Sequence, residues 1–167
     1  FEPCAFDLMG VMFATAQIKL EENHYQRMYF IDETNGGERM SLGMFRTRLR
    51  DGFGYWLIAT HGSTTFIVVD TYALDEWASW QQATDVYMAD VQDYGPSRIV
   101  SGTHENPTTH LAEFYYIGIK EQFVYENFHN VNSVVHLAGC LAFNFDDDFN
   151  AHTFLGYVTT IPSDRGY

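Results

Sequence analysis

Two short apolar runs that break at chemistry-bearing residues constrain this chain more than any other feature. Tyr55-Trp56-Leu57-Ile58-Ala59-Thr60 breaks at His61-Gly62, and Val134-Val135-His136-Leu137-Ala138 breaks at Gly139-Cys140. Runs of this length, apolar and bounded by glycine, read as buried strands. In an open parallel α/β sheet, functional groups collect beyond the carboxyl ends of the strands. The pattern therefore predicts a histidine and a cysteine at one sheet edge, close together where the two strands are neighbours.

The flanking chain supplies helices and further strands. Asp7 to Leu20 is rich in Leu, Met, Phe and Ala and is expected to be helical, with Asp7 as N-cap. Arg27–Ile31 reads as a short buried strand ending at Asp32-Glu33, and Thr34-Asn35-Gly36-Gly37 reads as a turn. From Ser41 to Arg50, Leu42, Phe45 and Leu49 fall on one helical face, and Asp51-Gly52 closes the element. Helix, strand, helix, strand argues for a parallel sheet covered by helices.

Between the two apolar runs the pattern changes. Phe66–Val69 reads as a strand returning as a hairpin arm. Leu74–Val91 fits either a helix or an aromatic-rich loop, and Gly102–Thr109 reads as a polar loop. The stretch 63–109 is expected to be an insertion or lid, being too short to hold a core of its own. Glu113–Ile119 is strand-like, Lys120–His129 a short helix, and Thr153–Val158 a last apolar strand. Nothing repeats, and a length of 167 residues suits a single domain spanning 1–167.

Composition excludes several classes. At 46% hydrophobic and 17% aromatic, the chain is too apolar to be disordered. No apolar run approaches the roughly 20 residues of a membrane span. The net charge of −13 repels phosphate backbones, which argues against a nucleic-acid partner, and it attracts Lys- or Arg-bearing peptides. Cys4 and Cys140 make no disulfide framework, although they could pair. The chain opens on Phe and shows no signal-peptide pattern, as expected of a processed product, an excised piece or an incomplete sequence. The compartment stays open, with an extracellular one favoured.

At matched strand ends, the imidazole of His61 can deprotonate or orient the thiol of Cys140, and the thiolate can attack a carbonyl. The backbone N–H groups of Gly62 and Cys140 are natural donors to the oxyanion that develops. Gly62 lets the chain turn and leaves room for substrate. The expected catalytic set is Cys140, His61 and Gly62, with no cofactor.

An apolar block ending in His-Gly, followed by one ending in a small residue and Cys, resembles the caspase-like cysteine peptidases. That group includes gingipains, clostripain, legumain, separase and metacaspases. The run Phe143–Tyr157 is similar to the gingipain branch. The resemblance covers roughly Arg27 to Val158. It implies a caspase-like three-layer α/β sandwich with a mainly parallel sheet, here carrying an inserted aromatic-rich segment, with Cys140 as nucleophile and His61 as its partner. It further implies a peptide or protein substrate, and a carboxylate near the nucleophile in members that cut after Arg or Lys. Asp32, or Asp147 within Asp146–Asp148, is the candidate here.

Other readings compete. Cys140 alone fits a buried free cysteine, and His61-Gly62 alone fits a strand-ending turn. The chain would then be a non-catalytic α/β subunit or interaction domain. The surplus aromatics Trp77, Trp80, Tyr87, Tyr94, Tyr115, Tyr116 and Tyr125 either fill the core or form a surface that packs into a larger protein assembly. His104 and His110 raise a metal-dependent hydrolase, but their spacing matches no standard zinc pattern. His136, inside its run, reads as a hydrogen-bonded core residue. Asp146–Asp148 invites a calcium site but lacks the glycine and glutamate that an EF-hand loop needs.

Overall fold

A computed structural model describes residues 6–25, 40–74, 77–105, 109–138 and 145–156. The chain begins with α1 (Phe6–Glu22), longer than expected, with Asp7 inside its first turn. The next element, α2 (Leu42–Arg50), follows from its residues. The Ser41 hydroxyl accepts the Met44 N–H at 3.2 Å, and Leu42, Phe45 and Leu49 are buried as one stripe. Asp51 N–H bonds to Arg48 O, and Gly52, at φ +69°, turns the chain out of the helix.

The two apolar runs form β1 (Tyr55–Ala59) and β5 (Val134–Ala138). They pair directly and in parallel, from Tyr55 opposite Val134 to Ala59 opposite Ala138. The last strand, β6 (Thr153–Gly156), lies parallel on the other side of β5, giving the order β1-β5-β6. One face of this sheet carries Trp56, Val135 and Leu137 into the core, against Phe45 and Leu49 of α2 and Phe123 and Val124 of α4 (Glu121–Asn127). Its other face holds Tyr55, Leu57, Val134 and His136, all half-buried.

The remaining strands, β2 (Ile67–Ala73), β3 (Ile99–Glu105) and β4 (Ala112–Ile119), form an antiparallel sheet of order β2-β4-β3. The helix α3 (Trp77–Tyr94) packs on one face of it, where Trp80 meets Tyr115 edge-on at 5.3 Å and Ala83, Tyr72 and Ile117 are buried together. Ile67, Ile99 and Ile119 from this sheet join the same core as Trp56, Val135 and Leu137. The ion pair between Arg98 and Glu126, 2.6 and 2.7 Å, ties the turn before β3 to α4.

The architecture is thus α/β, with three parallel and three antiparallel strands rather than one mainly parallel sheet. The stretch 63–109 forms two strands and a helix, and it shares a small apolar cluster with β4. Most of the ambiguous Leu74–Val91 stretch lies within the helix α3. Gly102–Glu105 is strand, not polar loop, because β4 supplies a hydrogen-bonded partner for it. Asp146-Asp147-Asp148 belongs to a short helix, α5 (Asp146–Phe149), rather than a loop. The predicted strand Arg27–Ile31 lies outside the described residues.

Candidate functional site

The chain leaves β1 through Thr60 and returns as β2 in a tight hairpin. The Thr60 hydroxyl donates to Val68 O at 2.7 Å, Val68 N–H to His61 O at 2.9 Å, and Ser63 N–H to Phe66 O at 2.9 Å. Gly62 pairs with Ile67 between these two bonds. That is the non-hydrogen-bonded position of an antiparallel pair, where the N–H points away from the partner strand. The Gly62 N–H therefore has no ladder partner among the described residues. The left-handed glycines there are Gly52 and Gly95, so Gly62 serves the pairing rather than a positive-φ turn.

This hairpin sets His61 against β4. On that strand Tyr115, Ile117 and Ile119 are buried on one side, leaving Phe114 and Tyr116 on the other. The His61 ring stacks on Phe114 at 6.1 Å, with 24° between planes. His104, opposite Phe114 in the β3–β4 ladder, lies 4.8 Å from the same ring. Phe66 stacks on Tyr116 at 5.4 Å. Burial first, and then the nearby His104, together lower the His61 pKa to about 4. At neutral pH the His61 imidazole is therefore uncharged, and it is a weaker base than an exposed histidine.

Of the predicted site residues, His61 and Gly62 stand together just past the carboxyl end of β1. Cys140 and Asp32 lie outside the described residues. Asp147 is exposed on α5, a helix that leads into the amino-terminal end of β6. Since β6 runs parallel to β1, that is the edge opposite His61. The sequence does not show that Phe114 lies beside His61, although the unbroken aromatic and apolar run in β4 is a signal that both its faces are covered.

The histidines of the competing readings separate. His104 is buried in β3, with Nε2 3.9 Å from a Glu113 carboxylate oxygen, whereas His110 is exposed in a left-handed turn conformation. Among the described residues no group of three or more His, Cys, Asp or Glu side chains is placed to hold a metal ion. His136 is half-buried on the sheet face away from Val135 and Leu137, and burial lowers its pKa. Among the described residues it makes no side-chain hydrogen bond. No described helix is long and apolar enough to cross a membrane.

Comparison with protein-family models, with curated proteins and with solved structures finds no match.

Proposed function

We propose that this chain is the domain of a cysteine endopeptidase with a caspase-like sandwich, in which Cys140 is the nucleophile and His61 its proton partner. One observation carries the reading. The offset that pairs Tyr55 with Val134 and Ala59 with Ala138 is the same offset that separates His61 from Cys140 in the sequence. Both residues follow the carboxyl ends of adjacent parallel strands by two positions. The parallel order β1-β5-β6 suits the proposal, with the antiparallel sheet and α3 occupying the insertion between the two blocks.

In this mechanism the neutral His61 takes the thiol proton as the Cys140 sulfur attacks the scissile carbonyl carbon. The oxyanion is held by the N–H groups of Gly62 and Cys140. Collapse breaks the C–N bond, and the proton on His61 passes to the leaving amine. Water, deprotonated by His61, then hydrolyses the thioester and restores the thiol. For selection of a basic P1 side chain Asp32 keeps its assignment. Asp147, on the helix before the amino-terminal end of β6, is the second candidate.

The test is hydrolysis of peptide amides bearing Arg, Lys or neutral P1 residues by the wild-type chain, Cys140→Ala and His61→Ala. The proposal expects wild-type turnover that falls on the order of 10⁴-fold or more in both variants. Absence of turnover, together with iodoacetamide labelling of Cys140 only after denaturation, would sink it. That result leaves the non-catalytic α/β interaction domain as the function.

A further inference from the structure

Arg46 and Arg50 lie one turn apart on α2, and both donate to a single oxygen. Arg46 Nε is 3.0 Å, and Arg50 Nη2 2.7 Å, from Oδ1 of Asn127, the last residue of α4. The Asn127 amide is fixed by its own donation to Phe123 O at 2.8 Å, so its oxygen faces the two guanidinium groups. Asn127 is buried, and Arg46 also lies over the Tyr94 ring at 5.4 Å.

The charge arrangement is unusual for this chain. Acidic residues outnumber basic ones 22 to 9, yet these two cations meet a neutral acceptor. Sharing one oxygen puts the donor nitrogens no more than about 6 Å apart, where like charges repel. The acids beside them are committed elsewhere. Glu126 is held by Arg98 and by Gln122 at 2.9 Å, and Asp51 by Arg48 at 2.9 Å. Among the described residues, neither Arg46 nor Arg50 has a carboxylate partner, and each of their guanidinium groups has further N–H donors.

We infer that the Arg46–Arg50 fork on Asn127 is a binding site for a small oxyanion carrying two negative charges, a phosphate or a dicarboxylate. Paired guanidinium groups offer such a ligand bidentate, charge-assisted hydrogen bonds and relieve their mutual repulsion. The site lies at the end of α2 that leads into the amino-terminal end of β1, the edge of the sheet opposite His61. It is independent of the peptidase reading, and a ligand there leaves the His61 edge free.

The experiment follows thermal unfolding of the full chain with inorganic phosphate or succinate, ionic strength being held constant with sodium chloride. The wild type is expected to show a Tm rise of about 3 °C at ten times the Kd, growing with the logarithm of anion concentration above it. Arg46→Gln and Arg50→Gln are expected to abolish it, and Arg48→Gln, on the same helix but outside the fork, to retain it. Preference for phosphate over succinate, or the reverse, identifies the ligand class. A variant with disturbed folding is replaced by a direct readout, the Asn127 side-chain amide resonance of the wild type during titration. No Tm rise beyond the sodium chloride control with either anion, or one that survives in both glutamine variants, overturns the inference.

Discussion

The imidazole of His61 stacks on the ring of Phe114, centroids 6.1 Å and planes 24° apart, although His61 follows β1 of the parallel sheet and Phe114 belongs to β4 of the antiparallel one. Phe114 is one of the groups packed around the imidazole, and burial is the main reason its pKa falls to about 4. Proton resonances of the imidazole should therefore titrate well below those of an exposed histidine, whose pKa is about 6.5. Phe114→Ala admits water and is expected to move the midpoint upward. The sign for stability follows. The unfolded chain binds the His61 proton more tightly, so this residue's contribution is complete above about pH 6.5 and is lost as pH falls toward 4. His61→Gln should flatten stability across that window.

Asp90 should behave in the opposite sense. Its pKa is raised to about 6, first by burial, then by the charges of Asp70 on β2 and Asp93 one turn along α3. Folding favours its protonated form, so its contribution is present below about pH 4 and is lost as pH rises through 6. Asp90→Asn removes that loss. The variant's Tm advantage over wild type should grow between pH 4 and 6 and persist at pH 7.5. An advantage independent of pH would contradict the assignment.

How far the sequence reveals these relations depends on what each residue answers to. The stripe of Leu42, Phe45 and Leu49 with Ser41 before it is local information, and α2 forms where that pattern places it. The runs ending at Ala59 and Ala138 are apolar enough to be strands wherever they pair. Pairing itself is not local. That β4 joins β2 and β3, rather than the parallel sheet, depends on cross-strand partners far along the chain. His104 and Glu105 looked like loop because polar residues are tolerated in a strand at a sheet edge. The Trp77–Tyr94 helix was ambiguous because its aromatic residues suit strand or core as well as helix. The position of Cys140 rests on sequence alone, since the described part of its strand stops at Ala138.

Gly102 marks a place where the backbone must pass beneath an aromatic ring. A Cβ added there would stand 2.6 Å from the Tyr116 hydroxyl and 2.8 Å from the ring carbon that bears it. Gly102→Ala is therefore expected to destabilise the domain by about 1–3 kcal/mol in urea unfolding. In a Tyr116→Ala background the obstacle is gone, and the same substitution should cost far less. A double-mutant cycle reads the difference directly. Additive costs would mean that the strain arises elsewhere.

Phe149 tests whether the last strand belongs to the same cooperative unit as the rest. Its side chain is fully buried, edge-on to Phe128 at 5.1 Å and stacked on Phe154 of β6 at 5.7 Å. Phe128 in turn meets Trp56 of β1 edge-on at 5.9 Å. One aromatic chain thus runs from β6 through α5 and the end of α4 to β1. Phe149→Ala leaves a cavity in it and is expected to cost about 3–5 kcal/mol, and the more space-filling Phe149→Leu clearly less. If the chain of rings couples these elements, urea unfolding of Phe149→Ala stays a single transition with an unchanged slope and a lower midpoint. A separate early transition, with tryptophan fluorescence lagging behind circular dichroism, would show that α5 and β6 unfold independently. The parallel sheet would then be held without its third strand.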